Sequence, residues 1–171
     1  HYEPGVEPFV GNTLHGRPYW GVTQENLEAI FQYRSVAPAY VVPKTLAEMH
    51  AMPALNKTEW TADDIMALHA RYKLSAPTAS AARFYVFFVK GNFRDAGGVQ
   101  NGVIGVNIGG TPVLAIFKQV IQANVANPNG PAAKFVEQST VVHEMGHALG
   151  FVDMGVPART AHVDAAHPGH T

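Results

Sequence analysis

The residues best suited to chemistry in this chain are two histidines and a glutamate in the run His143-Glu144-Met145-Gly146-His147. Because residues four apart lie on the same side of a helix, His143 and His147 can present both imidazoles to one tetrahedral Zn²⁺ ion. Glu144 is rotated by about 100° from His143, close enough to accept a proton from a zinc-bound water without binding the metal itself. Two imidazoles, one base and an open coordination position predict a hydrolytic zinc site.

A long helix must carry this motif. The run Asn129-Gly130-Pro131 marks its start, with proline at the first helical position, and Gly150 marks its end. The helix is therefore predicted to span about 19 residues. Its apolar residues recur at multiples of three and four, which predicts a core-facing side formed by Phe135, Val142, Met145 and Leu149.

Three apolar runs before this helix are predicted to be strands. Residues 83–90 (RFYVFFVK) are short and rich in aromatic and β-branched residues, which predicts a buried strand. Residues 103–108 and 113–121 are separated by the compact turn Gly109-Gly110-Thr111-Pro112, which predicts neighbouring strands. Because glycines weaken the 103–108 strand, we expect it at the edge of the sheet.

The first half of the chain contains weaker signals. Residues 1–22 carry several prolines and glycines and predict an irregular N-terminal arm. A helix is predicted from Thr23 to about residue 33, and a short strand over 39–42. Two capping boxes follow, Thr45 with Glu48 and Thr61 with Asp64, and the second is predicted to open an amphipathic helix over 61–73.

The motif continues as HEMGHALGFVD, and this run resembles the metzincin metalloproteases, whose extended pattern is HExxHxxGxxH or, in a minority, HExxHxxGxxD. The minority form is matched at every position, by His143, Glu144, His147, Gly150 and Asp153. The resemblance implies a mixed twisted sheet above a long active-site helix. It also implies an antiparallel edge strand that binds substrate in extended form, and a chain reversal at the glycine.

Four residues compete to be the third metal ligand: Asp153, His162, His167 and His170. In the archaemetzincin-like branch the third histidine is followed closely by a cysteine, and the tail here resembles an inserted loop that ends in His170, with Thr171 at the cysteine position. His170 is the favoured ligand and Asp153 the alternative, since both are acceptable to zinc. The other tail residues are interpreted as loop residues or as partners that orient a ligand: His162, Asp164 and His167. No glutamate follows His147, which excludes a glutamate as third ligand within this chain.

Composition excludes several classes of partner. The chain has 12 Lys+Arg against 13 Asp+Glu, a net charge of -1 and no basic run, so we expect no nucleic-acid partner. No stretch of about 18 apolar residues occurs, so we expect no membrane partner. Cysteine is absent, and any metal must bind to His, Asp or Glu. His15 and His50 lie near predicted turns and have no partner at ligand spacing, while His69 is predicted to be partly buried on its helix.

The resemblance implies one metalloprotease catalytic domain over residues 1–171. The arm over 1–22 would be followed by an upper subdomain over 23–150 that ends in the zinc-binding helix, and residues 151–171 would begin a lower subdomain. The family places a Met-containing turn beneath the metal, but no methionine follows Met154. We therefore expect the C-terminal subdomain to be truncated or absent, and a cleaved C-terminal fragment of the same protein to be a partner.

The expected function is that of a zinc-dependent endopeptidase with an α+β, metzincin-like fold. The expected substrate is a peptide or protein in extended form, held by β-augmentation on the strand at 103–108. By analogy with the family we expect a secreted or extracellular location. The alternative is a catalytically silent zinc-binding or interaction module that retains the fold.

Overall fold

The computed structural model describes residues 1–32, 38–75, 78 and 80–151. Within these ranges the helices are α1 (Tyr19–Ile30), α2 (Ala62–Tyr72), α3 (Lys118–Ala123) and α4 (Pro131–Ala148). The strands are β1 (Glu59–Trp60), β2 (Tyr85–Phe88), β3 (Asn92–Asp95), β4 (Gly98–Gln100), β5 (Gly105–Asn107) and β6 (Val113–Ile116). Helices and strands are mixed along the chain, and the strands form two small mixed sheets, which confirms the α+β class.

The main sheet has the strand order β2-β6-β5. β6 lies parallel to β2 and antiparallel to β5. β5 is thus an antiparallel edge strand, at the position predicted for residues 103–108. On the other side of β2, Tyr2 forms parallel bridges to both Phe88 and Ala51, and these bridges widen the sheet beyond β2.

Side chains of the main sheet alternate between its two faces, as the pleat requires. One face packs against α2, and the buried residues there are Ile65, Leu68, Tyr85, Phe87, Val113 and Ala115. The other face packs against α1 and α4 through Leu27, Phe88, Leu114, Ile116, Val141 and Met145. Each Val, Leu, Ile, Phe or Met side chain among them contributes about 1.5–3 kcal/mol when fully buried. The sheet is therefore held between α2 on one side and the motif-bearing α4 on the other.

The second sheet has the order β1-β3-β4, with β1 parallel and β4 antiparallel to β3. These short strands were not predicted from the sequence. Trp60 of β1 is buried against the α2 side of the main sheet, and its indole nitrogen donates to the carbonyl of Lys90 at 2.7 Å. None of the helices in the described ranges is long and apolar enough to cross a membrane.

Both predicted capping boxes are present. The Thr61 hydroxyl accepts from the backbone N–H of Asp64 at 3.2 Å, and the Asp64 carboxylate accepts from the Thr61 backbone at 2.9 Å. These bonds satisfy N–H groups that the first turn of α2 leaves without helical partners. The other capping box, Thr45 with Glu48, opens only a short 3₁₀ turn over Leu46–Glu48.

Helix α4 begins at Pro131 as predicted, and three of the four residues predicted to face the core do so. Met145 is buried, and Val142 and Leu149 are partly buried against the same cluster. Phe135 is 72% exposed, so its predicted core position is wrong. The buried residues of the helix also include polar ones, and the full set is Ala133, Glu137, Gln138, Thr140, Val141, Glu144 and Met145. Apolar periodicity alone misses these polar residues, because several buried positions of this helix bind polar partners from distant parts of the chain.

Helix α1 begins at Tyr19, earlier than the predicted start at Thr23, so the irregular arm ends at Pro18 rather than at residue 22. The arm fixes this start, since the Trp20 indole nitrogen donates to the carbonyl of Phe9 at 3.0 Å. Thr23 lies inside the helix and is buried, and its hydroxyl contacts Gln138 of α4. Residues 39–42 are described and contain no strand, so that prediction is also wrong.

The predicted strand over 113–121 is correct only as far as Ile116. The N–H groups of Val120 and Ile121 both donate to the carbonyl of Phe117, at 2.9 and 3.2 Å, and this turn opens α3. Lys118, the first residue of α3, is buried with its ammonium 3.4 Å from a carboxylate oxygen of Glu137. The ion pair draws Lys118 toward α4, which a continued strand would not achieve.

Candidate metal centre

The two motif histidines come together at the C-terminal end of α4. Their Nε2 atoms are 3.1 Å apart, and the ring planes are inclined at 82°. Two nitrogens that each bind Zn²⁺ at about 2.0–2.1 Å in tetrahedral geometry stand about 3.3–3.4 Å apart. His143 is exposed and His147 partly buried. The pair therefore fits a zinc ion that is reached from solvent.

Glu144 is only 7% exposed and lies beneath the edge strand β5. A Cβ atom added to Gly105 would stand 3.1 Å from its Oε1 atom and 2.5 Å from Cγ2 of Thr140. Glycine at this position therefore permits the close approach of α4 to β5. Burial raises the pKa of Glu144 to about 7, against a backbone hydrogen bond from Asn107 that lowers it.

The backbone of β5 alternates between β6 and the open edge. The N–H of Ile108 donates to Val113 at 3.0 Å, and the carbonyl of Ile104 accepts from Phe117 at 2.9 Å. Because an antiparallel ladder alternates, the N–H and C=O groups of Gly105 point away from β6. An extended peptide segment could form hydrogen bonds with these two groups of Gly105, which lie next to the Glu144 side chain.

Helix α4 ends in a tight reversal at Gly150. The N–H of Phe151 donates to the carbonyl of Gly146, and the N–H of Gly150 to that of His147, both at 3.0 Å. Gly150 has a φ of 76°, a left-handed conformation that glycine adopts without strain. A left-handed turn therefore ends α4 at the glycine where the resemblance implies a chain reversal, and the residues after Phe151 lie outside the described ranges.

The candidates for the third metal ligand, Asp153 and His170, lie outside the described residues. The same holds for the other tail residues, His162, Asp164 and His167. Within the described ranges no group of three His, Cys, Asp or Glu side chains is arranged to hold a metal ion. The described part of the site thus consists of two imidazoles and one carboxylate.

A second buried carboxylate on α4 was missed by the sequence reasoning. Glu137 accepts from the N–H of Phe9 at 2.6 Å and lies 3.4 Å from the ammonium of Lys118. Burial raises the pKa of Glu137 to about 7 and lowers that of Lys118. The only sequence signal was a lysine within the apolar run VLAIFKQVI. This pair fixes the N-terminal arm to the motif helix, since Lys118 also donates to the carbonyl of Glu7.

Comparison with family models, with curated proteins and with solved structures finds no match to this chain. The class of the site is therefore argued from its own residues: two imidazoles one helical turn apart, a buried carboxylate between them in sequence, and an antiparallel strand edge above.

Proposed function

We propose that this chain is a zinc-dependent endopeptidase of the metzincin type. The observation that carries the proposal is the convergence of three features at one place. The imidazole pair of His143 and His147, the buried carboxylate of Glu144 and the edge strand β5 all meet at the end of α4. A chance HExxH match on a surface helix gives no reason for a strand edge to lie against its glutamate.

His143 and His147 would hold the zinc ion through their Nε2 atoms, with His170, or else Asp153, as the third ligand. When bound, Zn²⁺ polarises the scissile carbonyl and lowers the pKa of water. The separation of 3.1 Å between the two Nε2 atoms supports this assignment. The left-handed turn at Gly150 supports it as well, since it ends the helix three residues beyond His147.

Glu144 would act as the general base and then as the general acid. Its carboxylate takes a proton from the attacking water and passes it to the leaving amine. Burial beneath β5 limits the access of bulk water to this carboxylate. The neighbouring N–H of Asn107 keeps the carboxylate oriented while the proton moves.

The substrate would be a peptide or an unfolded protein segment in extended form. It would pair with the outward N–H and C=O groups of Gly105 as an added strand. This mode of binding brings a backbone amide, rather than a side chain, over Glu144. An endopeptidase that works in this way recognises extended chain irrespective of the fold of the intact substrate.

Replacement of Glu144 by glutamine tests the proposal. Cleavage of an extended peptide library by the full chain should fall about 10²–10⁴-fold, because the base is lost while the shape of the side chain is kept. Zinc content should not change, because glutamate is not a ligand. The matched control is Glu28→Gln on the exposed side of α1, which should cleave as the wild type does.

Two outcomes contradict the proposal. Equal cleavage by wild type and Glu144→Gln would remove Glu144 from the reaction. Zinc binding without cleavage of any peptide by the wild type would favour the silent zinc-binding module instead. The accompanying proposals, an exported location and a cleaved C-terminal fragment as partner, predict that the fragment co-purifies from the extracellular fraction. A single intact chain found only inside the cell contradicts both.

A further inference from the structure

A second pair of imidazoles lies on the opposite face of the main sheet from α4. The Nδ1 atoms of His1 and His50 are 3.0 Å apart, and the ring centroids are separated by 4.9 Å. His50 is exposed and His1 partly buried. The sequence reasoning assigned His50 no partner at ligand spacing, and the structure corrects this, because the partner is 49 residues away.

Backbone pairing holds these two histidines side by side. The N–H of Tyr2 donates to the carbonyl of His50 at 3.0 Å, and the N–H of Met52 donates to the carbonyl of Tyr2 at 2.8 Å. Tyr2 and Ala51 form a parallel bridge, so His1 and His50 precede them as neighbours whose side chains leave the sheet on one face. The pair is therefore set by strand register rather than by rotamer choice alone.

The His1 segment is also fixed on its other side. Its backbone nitrogen donates to the carbonyl of Val86 at 2.9 Å, and its carbonyl accepts from Phe88 at 2.9 Å. The imidazole stacks on the ring of Phe87, with centroids 5.0 Å apart and planes inclined at 22°. A ligand held in this way loses little side-chain freedom when it binds a metal.

The surroundings of the pair are aromatic. The ring of Tyr72 lies 5.6 Å from the His1 ring and 5.3 Å from the His50 ring. The Tyr72 hydroxyl is buried and has no hydrogen-bond partner among the described residues. On the far side of Tyr85 stands His69, with ring centroids 4.6 Å apart.

We propose that His1 and His50 form a second metal site, which binds a late first-row divalent cation through the two Nδ1 atoms. The site is independent of the peptidase proposal and lies across the sheet from α4. Imidazole ligands suit zinc, nickel and copper, and Cu²⁺ binds such donors most tightly of the three. The separation of 3.0 Å is close to that of the motif pair and suits chelation of one ion.

Copper titration of the full chain tests this site. Wild type, His50→Ala and His1→Phe are each titrated with Cu²⁺ against a competing chelator, and nitrogen coupling is read by electron paramagnetic resonance. His1→Phe keeps a ring on Phe87 while it removes the ligand atom. His15→Ala, a change at an exposed histidine in the N-terminal arm, is the matched control.

We expect both site variants to bind one Cu²⁺ fewer than wild type, or to bind that ion at least about 100-fold more weakly. The double variant should lose no more than either single variant, because both remove the same ion. His15→Ala should match wild type, and His147→Ala should keep the ion that His50→Ala loses. Equal copper stoichiometry and affinity in wild type, His50→Ala and His1→Phe would overturn the proposal and leave a shared-proton hydrogen bond.

Discussion

The two histidine pairs of this molecule have nearly equal nitrogen separations, 3.1 Å between His143 and His147 and 3.0 Å between His1 and His50. They reach that separation by different means. The first pair is set by one turn of α4, and the second by the register of two adjacent segments of the sheet. The first pair flanks the buried carboxylate of Glu144 in sequence, whereas the ring contacts of the second pair are with Tyr72 and Phe87. Equal nitrogen separation therefore does not imply equal chemistry, and the neighbouring carboxylate of Glu144 distinguishes the proposed hydrolytic site from the proposed binding site.

The largest expected effect is a pH dependence of folding stability that comes from Glu137 on the α4 face of the main sheet. The face of α4 is anchored by the buried pair of Glu137 and Lys118, whereas the opposite face is packed with aromatic rings. Since the pKa of Glu137 is raised from 4.5 to about 7, the native state holds more protons than the unfolded state between these values. The contribution of Glu137 to the free energy of unfolding should therefore be fully present below about pH 4.5, and about 3 kcal/mol of it should be lost as the pH rises through 7.

Urea denaturation between pH 4.5 and pH 8 measures this effect. Glu137→Gln should make the free energy of unfolding depend less steeply on pH than in the wild type. The titration of Glu144 contributes equally to both proteins and does not affect this difference. Lys134→Gln, on the same helix, serves as the control and should keep the wild-type slope. Identical slopes in wild type and Glu137→Gln would show that this carboxylate does not couple folding to pH.

A substitution of Gly105 tests the close contact between α4 and β5 next to the motif histidines. Gly105→Ala places a Cβ atom 2.5 Å from Cγ2 of Thr140, so α4 must move away from β5. We expect a loss of about 1–3 kcal/mol of unfolding free energy and a fall in peptide cleavage. Copper binding at His1 and His50 should be unchanged.

Thr140→Ser provides the matched rescue for that change. Serine removes the clashing methyl group but keeps the hydroxyl that donates to Val136 at 2.7 Å. The double variant Gly105→Ala/Thr140→Ser should be more stable than the sum of the single changes predicts. Strict additivity would mean that the predicted clash is relieved elsewhere.

Gly150 gives the smallest expected effect. Alanine at a φ of 76° should destabilise the reversal by about 1 kcal/mol, because a side chain disfavours the left-handed conformation. The separation between His143 and His147 should not change, whereas zinc affinity should fall if the third ligand depends on the reversal. Calorimetric zinc titration compares the zinc affinities of the wild type and Gly150→Ala. Gly146→Ala, inside the helix, is the control. Unaltered zinc affinity would show that the position of the third ligand does not depend on this turn.

The sequence predicts those parts of the molecule that local signals specify. Helix α4 follows from Pro131 and its periodic pattern, and α2 follows from the capping box at Thr61. The neighbouring strands β5 and β6 follow from the short turn between them. In each case the residues that specify the element lie within a few positions of one another.

The parts that the sequence mispredicts depend on distant partners. Phe135 has the periodicity of a core residue, yet Glu137 takes the buried position because Phe9 and Lys118 bind it there. The ion pair also holds Lys118 at the start of α3, within the range that the sequence predicts as strand. For His50, no spacing in the chain indicates a partner, because its neighbour is supplied by the sheet.

The parallel bridges of Tyr2 bear on the order in which the sheet is completed. β5 and β6 close a short hairpin, whereas the segment at His1 pairs with Val86 across 85 residues. Closing a larger loop costs more conformational entropy and is slower, so we expect the segment at His1 to pair with β2 late in folding. Until it docks, β2 exposes the unpaired edge of the run YVFF, a template for pairing with other chains. The first residues of the chain therefore also act as a guard against aggregation.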